Sequence, residues 1–180
     1  MNKNAGVKGS VKSGNRNIYK YVATMGMLGA LLVVVQVGLA FLPNIELVSL
    51  LIIVYALVVG KAVFAPIAVF VLTEGLIYGF GLWWLNYVYI WPLLALLALS
   101  MRKERSRVVW AVVSGGFGLL FGALCALPYL FIGGTPTALA YWIGGIPFDI
   151  LHGIGNAVAA FFLFKPSVTA FEWIVNRSLT

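Results

Sequence analysis

The sequence predicts an all-α integral membrane protein with six transmembrane helices and both termini inside. Three observations carry this. Of the 180 residues, 62% are hydrophobic and only 9% are charged, with a mean hydropathy of +1.02, far from the balance of soluble domains. The apolar residues run in stretches fit to cross a hydrocarbon core of about 30 Å, separated by glycine, proline and basic breaks. The basic residues also fall on one side. With the N-terminus inside, the inner segments hold Lys3, Lys8, Lys12, Arg16, Lys20, Lys61, Arg102, Lys103, Arg105, Arg107, Lys165 and Arg177, all twelve in the chain. The outer turns around 43–46, 81–86 and 133–145 hold none, the asymmetry that sets membrane orientation.

The basic first twenty residues read as a cytoplasmic tail, 1–20. The apolar stretch after it is about twice the length of a signal-peptide core and lacks a small-residue cleavage site, so it is a retained first span. Within the six-helix membrane domain, 21–166, helix one runs from Tyr21 to Leu42 and stops at Pro43-Asn44, where proline and an Asn cap make a tight turn. Helix two covers about Asn44 to Gly60, and helix three Val63 to about Phe80, broken by Gly79 and Gly81. Helix four carries "LWWLNYVYIWP" and ends near Met101. After "RKERSR", helix five covers 108 to about 132, and "GGTPT" forms a loop. Helix six runs from about Ile146 to Phe164, with Pro147 in its first turn and Pro166 closing it. A second cytoplasmic tail, 167–180, follows.

Composition also limits the chemistry. The single cysteine, Cys125, reads as a small buried thiol, and no disulfide or cysteine-rich metal site can be built. The net charge of +7 sits in membrane-flanking segments without aromatic interleaving, so topology and anionic-lipid contact explain it better than nucleic acid.

Polar groups inside a membrane are costly, so each needs a reason. Glu74 lies two-thirds of the way along helix three with Tyr78 four residues on, sharing its face. It reads either as a protonated glutamate bonded to a neighbouring helix or as part of a ligand site or proton relay. Trp83, Trp84, Asn86, Tyr87, Tyr89 and Trp91 follow, forming either an interfacial belt or the wall of a pocket for a flat organic ligand. In "GGIPFDILHGIGN" the only Asp and the only His of the chain, Asp149 and His152, share one helical face with Asn156. In an inward-running helix six they lie at the depth of the tryptophans, so the two clusters can meet; Trp142 joins them if the helical phase extends back. Asp149 near a helix N-terminus is favoured by the helix dipole, and His152 can serve as an interhelical hydrogen-bond donor. One His and one Asp leave a zinc site short of ligands, and no serine or cysteine is placed as a nucleophile beside them. In helix one, Gly26 and Ala30, four apart with Gly29 alongside, let another helix approach closely, inside the bundle or from a partner.

Together the six-span layout, the small-residue first helix, "EGLIYGFGLWWLNY" and "GGIPFDILHGIGN" resemble the substrate-binding S components of energy-coupling factor (ECF) transporters, over about residues 21–166. The resemblance implies a six-helix bundle in a bacterial-type cell membrane that captures a vitamin or related micronutrient from outside. Its binding groups are then Glu74, Tyr78, Trp83, Trp84, Asn86, Tyr87, Trp91, Trp142, Asp149, His152 and Asn156. It also implies docking on a transmembrane coupling subunit and two cytoplasmic ATPases. That docking often uses an alanine-x-x-x-alanine pattern, matched here by Gly26 and Ala30 with glycine in the first place. The chain has no phosphate loop of its own, since "VVGKA" lacks both the upstream glycine and the hydroxyl after lysine. No cofactor is expected. Among ligands, the polar face and the aromatic loop are closest to members for cobalamin, with queuosine precursors, pyridoxine and pantothenate as alternatives. Two other classes stand beside this one: an intramembrane enzyme using Glu74, Asp149 and His152 as acid and base, and a structural protein whose polar residues only tie helices together.

Overall fold

The computed structural model describes residues 4–179, with side chains over 18–178. Of the basic residues assigned to the inner tail, Lys3 lies outside the described residues, as do the side chains of Lys8, Lys12 and Arg16. Every regular element of the described chain is helical, with no strand: α1 (Asn4–Gly38), α2 (Val48–Val59), a 3-10 turn (Gly60–Val63), α3 (Phe64–Tyr78), α4 (Leu82–Ser100), α5 (Arg107–Cys125) and α6 (Tyr129–Leu179). Five helical segments are long and apolar enough to cross a membrane: Ile18–Gly38, Val48–Tyr78, Leu82–Ser100, Arg107–Cys125 and Tyr129–Ser178. The second contains α2, the 3-10 turn and α3. At about 1.5 Å per residue, neither α2 nor α3 alone reaches the thickness of a hydrocarbon core, so length counts them as one segment where the sequence reading has two.

α2 is the centre of the bundle. Every residue from Val48 to Leu57 is buried, packed chiefly between α4 and α6, which explains an apolar sequence with no polar stripe. α1 lies along α3, where Gly29 admits Val69 and the Pro66 carbonyl; a Cβ there would come within 2.6 Å of Val69. The tightest pair is α5 with α6. Gly115, Gly118 and Gly122 face Ala157, Gly153 and Asp149, and a Cβ on Gly118 would stand 2.8 Å from the Gly153 nitrogen. Small residues three and four apart let backbones touch, and α5 with α6, rather than α1, is where this chain uses them most.

Besides α1 ending at Gly38 rather than Leu42 and α5 at Cys125 rather than near 132, three helix ends differ from the sequence reading. Asn44 does not cap α2. It takes a left-handed φ of 58° within the connection 39–47, and Glu46 does the capping, its Oε2 accepting from the Ser49 N–H at 2.8 Å. The range given for α6 joins two helices across a kink at Gly134, φ 72°, and the long one that follows the kink starts well before Ile146. Pro136, two residues after Gly134, occupies the early helical position assigned to Pro147. Consequently Trp142 lies on a helix rather than in an outer loop, and Asp149 is far inside α6, away from the dipole of its first turn. Nor does Pro166 close α6, which continues to Leu179. A proline inside a helix sacrifices one backbone hydrogen bond, but Phe171 and Val175 beyond it are buried, and Phe171 meets the Tyr55 ring edge-on at 5.0 Å. Gly79, at φ 88°, ends α3 where the sequence places the break.

Candidate functional site

The end of α1, the 39–47 connection, the end of α3 and the start of α4 converge on two adjoining clefts. The first, about 270 Å³, lies between Gln36, the connection, Glu46, Tyr87, Trp91, Phe121 and His152. The second, about 240 Å³, lies between Gln36, Ala40, Glu74, Tyr78, Trp83 and Tyr87. Gln36, Ala40 and Tyr87 border both. The Gln36 amide Nε2 donates to the Tyr87 hydroxyl at 3.3 Å, so this side-chain pair forms the partition.

Polar atoms without partners collect on these walls. Among the described residues the buried Gln36 Oε1, Glu74 Oε1 and Trp91 Nε1 have no hydrogen-bonding partner. Each such group costs about 1–3 kcal/mol when nothing satisfies it. Together they supply one donor and two acceptors. Asp149 Oδ2 and Ser114 Oγ are also unpartnered, but neither residue lines either cleft.

On the α6 side the polar groups are engaged. His152 Nε2 lies 3.2 Å from Glu46 Oε1, both residues being buried, and the imidazole ring stands edge-on to Phe121 at 4.8 Å. Burial raises the Glu46 pKa, but the His152 hydrogen bond and charge, with the Ser49 contacts, outweigh it and hold the carboxyl below its ordinary value. Asn156 Nδ2 donates to Ser49 Oγ at 3.1 Å, and Asp149 Oδ1 accepts from the Gly122 N–H of α5 at 2.9 Å. The face Asp149–His152–Asn156 thus points into the bundle and joins α6 to α5, to the connection and to α2.

The residues singled out in the sequence therefore separate into groups. Glu74, Tyr78, Trp83, Tyr87, Trp91 and His152 border the clefts. Trp84 does not; its Nε1 donates to the Val71 carbonyl at 2.8 Å, and the ring lines an apolar groove beside Pro92. Asn86 is buried with its Oδ1 3.1 Å from the Tyr89 hydroxyl. Trp142 lies in a separate apolar hollow near Ala123, because α6 begins further up than the sequence indicates. Asp149 and Asn156 are turned to helix neighbours. A Cβ on Gly26 would meet nothing within 4 Å, and Ala30 is exposed, so their face is unused inside the bundle.

Sequence reading passes over Gln36, Glu46 and Phe121. The first two carry a usable signal: Gln36 interrupts "LLVVVQVG", and Glu46 stands three residues before Ser49, at capping distance. Comparison of the chain with models of known families, with curated proteins and with solved structures returns no match.

Proposed function

We propose that this chain is a membrane-embedded binding protein that captures a small solute in the two clefts, acting as the S component of an ECF-type importer. The observation that carries the reading is the convergence of Gln36 Oε1, Glu74 Oε1 and Trp91 Nε1, all buried and unpartnered, on adjoining hollows. A bound solute satisfies such groups and recovers what their burial costs. The size of the clefts favours a compact solute, of the order of pyridoxine or pantothenate, over cobalamin.

Six crossings with N-in, C-in orientation fit the contacts. α3 runs alongside α1, with Gly29 against Val69 and Gln36 sharing a cleft with Glu74, while Gly60 at the far end of α2 lies 3.2 Å, through a Cβ, from the Arg102 guanidinium. In that orientation the clefts open outward and the basic residues lie inward. ATP is hydrolysed by cytoplasmic partner subunits, and the open Gly26–Ala30 face of α1 would meet the transmembrane coupling subunit. The acid–base alternative is weakened by how the groups are engaged: Glu74 lines one cleft, His152 is paired with Glu46, and Asp149 accepts from Gly122.

Native mass spectrometry of gently purified protein, followed by titration with a vitamin panel read through tryptophan fluorescence, tests the reading. A stoichiometric retained solute is expected, binding about tenfold or more weaker to Gln36→Leu, where a wall group is lost, and unchanged in Trp84→Phe. No retained solute and no response to any panel member would sink it.

A further inference from the structure

The second cleft sets a carboxylate with no protein partner among aromatic rings, and the geometry points to a binding site for an organic ammonium group. This rests on the solute-binding reading and names the class of solute. Glu74 is 2% exposed, lines the cleft, and its Oε1 has no hydrogen-bonding partner among the described residues. No Lys or Arg borders the cleft, so nothing there balances the carboxylate when it is ionised. Around it, Tyr78 and Trp83 meet at 80° with ring centroids 6.4 Å apart, and Trp83 and Tyr87 at 89° and 5.3 Å. Rings set at right angles form adjoining walls, and π faces attract cations, tryptophan most strongly.

The rest of the lining agrees. Gln36, which borders this cleft, carries a second unpartnered acceptor, its buried Oε1. A carboxylate, an amide oxygen and electron-rich rings together repel an anion. An inorganic divalent cation needs about six oxygen ligands, and no group of three or more metal-binding side chains exists among the described residues. An ammonium group needs only the charge, the acceptors and the rings. Beyond the Gln36–Tyr87 partition, Trp91, whose buried Nε1–H has no partner, lines the first cleft. The fitting solute is therefore compact, with an ammonium at one end and a hydrogen-bond acceptor at the other.

The test compares choline with 3,3-dimethyl-1-butanol, its neutral isostere, in which carbon replaces the quaternary nitrogen. Full-length protein in nanodiscs is titrated with each at constant ionic strength, using tryptophan fluorescence. Choline is expected to give a saturable change and to bind at least about tenfold tighter than the isostere, the scale of a desolvated cation–π and charge contact. Glu74→Gln should abolish the preference, and Trp83→Leu should reduce choline binding with the protein still monodisperse. Equal binding of both probes, or a preference unchanged in Glu74→Gln, overturns the ammonium site while leaving a solute pocket in place. No saturable response to choline in the wild type also overturns it. The retained-solute experiment, which does not depend on charge, then decides separately whether the chain binds a solute at all.

Discussion

Two polar clusters, both conspicuous in an apolar sequence, meet opposite fates in this fold. On α6, Asp149, His152 and Asn156 each reach a protein partner: the Gly122 N–H, Glu46 and Ser49. Where α1, α3 and α4 converge, Gln36, Glu74 and Trp91 each retain a buried atom with none. Burial does not separate the two clusters, since Glu74 and Asn156 are both nearly inaccessible. What separates them is where the unsatisfied atoms sit: Asp149 also keeps a buried Oδ2 without a partner, but away from both clefts, whereas Gln36, Glu74 and Trp91 border open volume. A satisfied polar group holds helices together, whereas an unsatisfied one beside an open volume is available to something from outside.

The sharpest way to break this contrast is to remove His152. His152→Ala leaves Glu46 buried without its main partner, and losing one member of a buried pair costs about 3–5 kcal/mol. Equilibrium unfolding in mixed micelles should show a loss of that size, the largest of any substitution on the α6 face; a change below about 1 kcal/mol would put the pair on the solvent-like side of the contrast. The same pair sets a pH dependence. Because the Glu46 carboxyl in the folded protein titrates below its ordinary value of 4.5, its contribution is fully present above that value and is lost as pH falls from 4.5 through the lower folded value. Glu46→Gln should flatten that part of a stability profile, while Glu74→Gln should leave it in place.

A smaller effect is expected at Asn156. Its bond to Ser49 joins two neutral groups, and such interhelical bonds in membrane proteins couple by about 0.6 kcal/mol in double-mutant cycles. The cycle Asn156→Ala with Ser49→Ala should return a coupling of that order, well below the His152 loss. A coupling near zero would mean that the face is held by Glu46 and His152 alone.

How much of this was legible in the sequence differs between the two clusters. The helical stretches, the break at Gly79 to Gly81 and the shared face of Asp149, His152 and Asn156 follow from periodicity and local stereochemistry, which act within a few residues. The partners of that face do not, because Glu46 and Ser49 are more than a hundred residues away in sequence. Prolines misled for a related reason. Pro147 and Pro166 have the local character of helix boundaries, yet burial of Phe171 and Val175 and the contacts made by Asp149 and His152 hold α6 together across both. Glu74 was legible as costly, but whether anything satisfied it required knowing that α1 brings Gln36 and no cation beside it.

The smallest expected effect on stability is the most informative. If Glu74 had a protein partner, as His152 does, Glu74→Gln would disturb that bond and cost about 1 kcal/mol or more. With Oε1 unpartnered, the substitution preserves shape and removes a charge that burial disfavours, so unfolding free energy should change by less than about 0.5 kcal/mol or rise slightly. Residues kept for binding are commonly neutral or unfavourable for stability. Unfolding measured on wild type and Glu74→Gln in the same micelles, without added solute, separates the cases. A clear loss would place Glu74 with the α6 cluster as helix glue and remove the contrast; an unchanged or raised stability, set against the His152→Ala loss, would leave a solute as the missing partner of the carboxylate.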